Sequence, residues 1–119
     1  AAVQNGIGEH LFRNGDLRGA VEMFSQAIAF ASDYMDAYNN LAVCFFTAGD
    51  YGRAKEILNQ ALKINPLDKD TIYNLAQLHL KMGTFTLTRS YLQNYLSRYP
   101  GDNEIRSILY DIETETSGV

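Results

Sequence analysis

The chain has 119 residues and a formal net charge of −4, from ten Lys and Arg against fourteen Asp and Glu. That length suits one domain with a modest core, and the acidic balance argues against a nucleic-acid binder, whose affinity rests on concentrated positive charge. The apolar runs are too short to span a bilayer, and the single Cys44 permits no internal disulfide, which points to a reducing, cytoplasmic setting.

The elements read in chain order as helices. The first starts almost at residue 1 and carries Ile7, Gly8 and Leu11; Asn14-Gly15-Asp16 ends it. The second carries Ala20, Phe24, Ala27 and Ile28. The third places Tyr38, Leu41, Ala42 and Phe45 at i, i+3, i+4 and i+7, one face of a helix. Gly49-Asp50 breaks it, glycine supplying a left-handed end and aspartate a cap for the next helix. The fourth carries Ala54, Ile57, Leu58, Ala61 and Leu62 and stops at Asn65-Pro66, where proline blocks continuation. The fifth holds Ile72, Leu75, Ala76 and His79 up to Gly83-Thr84, and the sixth holds Thr88, Leu92, Tyr95 and Leu96 up to Tyr99-Pro100. The seventh opens on Asp102 or Asn103, aligns Ile105, Ile108, Leu109 and Ile112, and sets Glu104, Arg106, Ser107, Asp111 and Glu113 opposite. One apolar stripe and one polar face suit a helix at the end of a stack. Period-two alternation is absent, so strands are not expected.

The glycines 15, 49 and 83 are 34 residues apart, and their surroundings repeat with them. Asp16, Asp50 and Thr84 come next, then Leu17, Tyr51 and Phe85; Ala20, Ala54 and Thr88 come five after each glycine, and Phe24, Leu58 and Leu92 nine after. This period marks stacked helix-turn-helix units that bury their apolar faces only against neighbours. The predicted organisation is one domain, 1–119, with repeats 1–34, 35–68 and 69–102, a capping helix over about 103–115 and a frayed tail over 116–119. Gly8, Ala42 and Ala76 recur where helices approach closely. Cys44 is expected to be a small buried hydrophobe and His79 a packed core histidine.

The pattern resembles the tetratricopeptide repeat family over nearly the whole chain. Tyr38, Leu41, Ala42, Phe45, Gly49, Tyr51, Ala54, Leu58, Ala61 and Pro66 fall on its signature positions. Gln4 replaces a usual aromatic and Ser32 a usual proline; Thr88 and Tyr95 replace alanines, so the sixth helix is expected to pack differently, against the terminal helix. The resemblance implies an all-α α-solenoid of three repeats plus a C-terminal capping helix, wound as a right-handed superhelix. It also implies a non-catalytic scaffold whose first-of-pair helices line a concave groove for a partner's peptide.

By periodicity the groove-facing residues are Asn5, Glu9, Phe12 and Arg13, then Asp36, Asn39, Asn40, Val43 and Thr47, then Asp70, Tyr73, Asn74, Gln77 and Lys81. The peptide-binding set is Asn5, Glu9, Asn39, Asn40, Val43, Tyr73, Asn74, Gln77 and Lys81, with Asn40 and Asn74 best placed to grip a ligand backbone through donors and acceptors. Phe12 and Phe46 are expected to pack between helices rather than form a groove shelf, and Tyr91, Tyr99 and Tyr110 to be half-buried rings. One subclass of the family holds the acidic C-terminus of heat-shock chaperones in a basic clamp. Its positions fall on Asn5, Glu9, Asn40, Asp70 and Asn74; only Asn40 matches, and Glu9 and Asp70 would repel a carboxylate, so a chaperone tail is not expected.

No catalytic, cofactor or metal-binding set emerges. His10 and His79 lack Cys or carboxylate partners at ligand spacing, and there is no GxGxxG or GKS/T loop. Two alternatives stand beside peptide binding. Val3 and Ile7 would face a preceding helix and offer a surface for a homo-oligomer. The chain, which lacks an initial Met and a signal peptide and so reads as an excised segment, would otherwise be the accessory domain of a larger enzyme such as a transferase.

Overall fold

In the computed structural model, which describes residues 1–83 and 86–116, φ is +84° at Gly15, +80° at Gly49 and +71° at Gly83. A side chain in this region crowds its own backbone, which is why glycine recurs there. The helices are α1 (Ala2–Arg13), α2 (Leu17–Phe30), α3 (Met35–Thr47), α4 (Tyr51–Ile64), α5 (Lys69–Met82), α6 (Thr86–Arg98) and α7 (Asn103–Thr116). No strand occurs among the described residues, so the fold is all-α.

The first two glycine turns are built alike. Gly15 N–H donates to the Phe12 carbonyl at 3.0 Å and Asp16 N–H to the Leu11 carbonyl at 2.9 Å. Gly49 N–H donates to Phe46 at 3.0 Å and Asp50 N–H to Phe45 at 2.8 Å. These bonds satisfy carbonyls that the helix end would leave open. The same aspartates then cap the next helix, Asp16 accepting from Gly19 N–H at 2.9 Å and Asp50 from Arg53 N–H at 3.2 Å. Each Gly-Asp pair thus ends one helix and starts another. Thr84 and Phe85, the corresponding positions of the third turn, lie outside the described residues.

Two compact units are resolved, Ala1–Ile64 and Asn65–Val119. In the first, α1 packs on α2 and α3 on α4, while α3 also touches α2 and α1. Its core is Ala20, Phe24, Leu41 and Cys44, flanked by Leu11, Phe12, Val21, Ile28, Phe45 and Ile57. A Cβ on Gly8 would sit 2.5 Å from Phe24 Cε1, so only a missing side chain lets that ring lie against α1. Full burial of such a ring contributes roughly 1.5–3 kcal/mol. Cys44 is packed as expected, and burial pushes its thiol up to about 11. Tyr38 donates its hydroxyl to the Ser32 carbonyl at 2.7 Å, tying α3 to the turn before it. Ile7, read as a helix-stripe residue, is 45% exposed and Val3 70%.

In the second unit α5, α6 and α7 pack on one another. Ile72, Leu75, Ala76, His79, Leu92, Leu96, Ile105, Ile108 and Ile112 are buried. Asp68 caps α5, accepting from Thr71 N–H at 3.1 Å and Thr71 Oγ1 at 2.6 Å. The departures at Thr88 and Tyr95 have a structural counterpart. Tyr95, only 6% exposed, sends its hydroxyl to Asp102 Oδ2 at 2.8 Å, and Asp102 Oδ1 accepts from Ile105 N–H at 3.2 Å. A large ring on α6 therefore reaches the cap of α7, which alanine could not do. Lys69 Nζ adds ion pairs of 3.1 Å to Asp102 and 3.1 Å to Glu104. Thr116, placed in a frayed tail by the sequence pattern, instead closes α7, whose later turns are anchored by buried Ile108 and Ile112; residues 117–119 lie outside the described residues. Among the described residues, no helix is long and apolar enough to cross a membrane.

Candidate functional site

The most structured polar feature of the first unit lies where α1 meets α3. Asn5 and Glu9 are one turn apart on α1, and Asn5 Nδ2 donates to Glu9 Oε1 at 3.1 Å. From α3, Asn40 Nδ2 donates to Asn5 Oδ1 at 3.0 Å and to the same Glu9 oxygen at 3.4 Å. The three side chains form one network across the two helices. Asn5 is only 5% exposed, and Glu9 and Asn40 are half-buried.

Beside the network is an open cavity of about 130 Å³ lined by Glu9, Phe12, Arg13, Phe24, Asn40 and Val43. Phe24 is buried and Phe12 half-buried, so both rings serve the core and the cavity wall together. Small-molecule and cofactor sites occupy about 300–1,000 Å³, well above this volume. The space is on the scale of one side chain. Its surroundings are an apolar floor with a carboxylate and a guanidinium on the same helix.

Several expected groove residues take other roles. Asn39 is 9% exposed and belongs to the interior of α3, because one residue step turns a side chain about 100° around the helix from Asn40. Asn5 likewise forms the base of the network rather than an exposed contact. Asn40 does not offer a free amide donor, since its N–H groups point at Asn5 and Glu9. Val43 is 37% exposed at the cavity, and Asp36, Arg13 and Thr47 are exposed. Phe46 packs its ring 5.2 Å from Tyr51, consistent with a helix-to-helix role.

In the second unit, Tyr73 is 37% exposed on α5, Asn74 and Gln77 are half-buried, and Asp70 and Lys81 are exposed. Of the tyrosines expected to be half-buried, Tyr91 is so, whereas Tyr99 is 47% and Tyr110 67% exposed. The strongest electrostatics there surround Asp102. The Tyr95 hydroxyl, the Ile105 amide and Lys69 hold its carboxyl below the usual range against an opposing desolvation effect. Burial, then the bond to Asp102, raises the Tyr95 phenol. Glu104 and Asp102 raise the Lys69 ammonium. These groups fasten helices.

Sequence reasoning does not anticipate the Asn5–Glu9–Asn40 network or Phe24 as cavity wall. Part of the network has a signal, the i, i+4 pairing of an amide with a carboxylate. Its third member has none, because Asn40 meets α1 only through packing.

Sequence models of the family described as Tetratricopeptide repeat match residues 1–66 and 45–110. A relative from Xenopus tropicalis, "BBSome complex member BBS4", is 26% identical over 90 residues, 76% of this chain. The chain spans 17% of that protein's length. Among solved structures, the first TPR of Spaghetti (RPAP3) bound to the HSP90 peptide SRMEEVD superposes with a TM-score of 0.81 at 15% identity, covering 98% of this chain and 94% of the other. The second TPR domain of human RPAP3, in complex with the HSP70 peptide SGPTIEEVD, gives 0.76 at 17% identity and covers 92% of each chain. At these identities the likeness is one of fold.

Proposed function

The chain belongs to the tetratricopeptide repeat family, and we propose that it is a non-catalytic module that binds a peptide segment of a partner protein on the α1–α3 face. The observation that carries this reading is the cavity between Phe12, Phe24 and Val43, open to solvent and edged by Glu9, Asn40 and Arg13. An apolar recess for one side chain with polar groups beside it is what recognition of an extended or helical segment requires. The RPAP3 domains of the same fold carry peptides, which supports the class of ligand. Tyr73, Asn74, Gln77 and Lys81 of α5 are the contacts we assign to the second unit. The division into repeats 1–34, 35–68 and 69–102 with a terminal helix is part of this proposal, as is a cytoplasmic setting, which the lone thiol at Cys44 accords with.

The partner differs in kind from the chaperone tails held by those two domains. Glu9 stands at a clamp position with its carboxylate already drawn into two amide bonds, and Asp70 stands at another. A terminal carboxylate there would meet like charge.

The exposure of Val3 at 70% and Ile7 at 45% supports a second reading, in which α1 pairs with another helix through that side. Sedimentation over a concentration series checks it; a single monomeric species throughout excludes it.

The main reading is tested by selecting a phage-displayed library of random peptides against the chain. Enriched peptides should bind wild type and lose binding to Val43→Asp, with helicity unchanged by far-UV circular dichroism. Retained binding by that variant, or no enrichment at all, rejects the α1–α3 face as the site.

A further inference from the structure

The α1–α3 network also restricts what its ligand can be, given the peptide-binding reading above on which this step rests. A carboxylate only accepts hydrogen bonds. The Glu9 carboxylate therefore sets the orientation of both amides, each of which must turn its Nδ2 toward it. Asn40 then spends its two N–H groups on Asn5 Oδ1 and Glu9 Oε1, and Asn5 spends one of its own on Glu9. The remaining Asn5 N–H belongs to a side chain that is 5% exposed. The atoms left without a partner among the described residues, Glu9 Oε2 and Asn40 Oδ1, are both acceptors. Neither is sealed from solvent. The Glu9–Asn40 side of the cavity edge is therefore a surface that receives hydrogen bonds and carries negative charge.

We propose that this face selects a peptide carrying one basic side chain, lysine or arginine, beside an apolar one. The ammonium or guanidinium donates to Glu9 Oε2 and Asn40 Oδ1, and the apolar neighbour fills the recess of Phe12, Phe24 and Val43. A charge-assisted bond to a fixed, half-buried carboxylate is about twice as strong as a neutral one. Arg13, the opposite charge at the cavity, is exposed. Solvent screens its attraction for an acidic ligand and its repulsion of a basic one alike. The half-buried Glu9 carboxylate therefore sets the sign of the charge this face selects.

The test uses the peptides enriched from the random phage library and two changes, Glu9→Gln in the protein and lysine or arginine to norleucine in the peptide. Glu9→Gln keeps one acceptor oxygen and the side-chain length, and far-UV circular dichroism checks its helicity. Peptides that depend on Val43 should be enriched in Lys or Arg. Each change should weaken binding on the order of tenfold, and the two together should weaken it no more than one alone. Should Glu9→Gln lose helicity, the norleucine peptide on the wild-type chain decides, and unchanged affinity overturns the proposal. Val43-dependent peptides that are acidic, or that ignore both changes, overturn the basic-ligand assignment and leave peptide binding standing. Peptides indifferent to Val43→Asp overturn both.

Discussion

Asn40 Nδ2 lies 3.0 Å from Asn5 Oδ1, a hydrogen bond that spans 35 residues of sequence and joins α3 to α1. Because Asn5 also donates to Glu9 at 3.1 Å, it is both acceptor and donor in the network. Asn5→Ala should lower stability by about 1–2 kcal/mol in urea denaturation, since a buried amide pair is lost and Asn40 is left short of a partner. Asn5→Asp sets a carboxylate against Glu9 and should be destabilised at neutral pH and partly recover in acid. A variant as stable as wild type at neutral pH would show that the network does not bear on folding.

Gly8→Ala would ordinarily help a helix by about 1 kcal/mol. Here its Cβ would lie 2.5 Å from Phe24 Cε1, so the ring must move. The expected net effect is a loss of about 1–3 kcal/mol by overpacking, read as a lower thermal midpoint. Phe24→Leu in the same background should recover part of it.

Thr88 is 1% exposed and its hydroxyl has no hydrogen-bond partner among the described residues. Thr88→Val keeps the branched shape and removes an unsatisfied group. Stability should rise by about 1 kcal/mol, and a decrease in the denaturation midpoint would contradict the account.

The attachment of α7 is sensitive to pH at both ends. The folded state lowers the Asp102 pKa, so its contribution is present above the ordinary carboxylate range and lost as pH falls through the folded value. Folding raises Tyr95 and Lys69, so their contributions are present below their ordinary values and lost as pH rises through the folded ones. Amide resonances of α7 followed by NMR should show a structured window between these limits. Asp102→Asn should flatten the acid side; an unchanged acid limb would place its origin elsewhere.

Cys44 is 1% exposed with a thiol near 11. At about pH 8 roughly a thousandth of it is thiolate, the form that reacts. Reaction with a disulfide reagent should be slow in the native chain and rise to the rate of a free cysteine in denaturant. Equal rates in both states would contradict its burial.

The fold comes from features that act over a few residues. Gly15 and Gly49 mark the turns because only glycine takes their φ without crowding, and Asp16 and Asp50 cap because their side chains are short enough to fold back on the next amides. Spacing of three and four residues likewise marks Leu41, Leu58 and Leu75 as buried, as they are. Periodicity separates inner from outer faces only to within a residue step, so it sets Asn39 beside Asn40 on the groove, whereas Asn39 is buried. It also starts the frayed tail at 116, whereas α7 runs to Thr116, with Ile112 holding the helix from one side.

Local chemistry thus settles where this chain turns, which residues cap its helices and which stripe each helix buries, because those choices are made between near neighbours. Whether Asn40 displays a donor or an acceptor is a different kind of fact. It depends on Glu9, which reaches Asn40 only when packing sets α3 against α1, and a carboxylate brought there by packing reverses what the amide can offer a ligand.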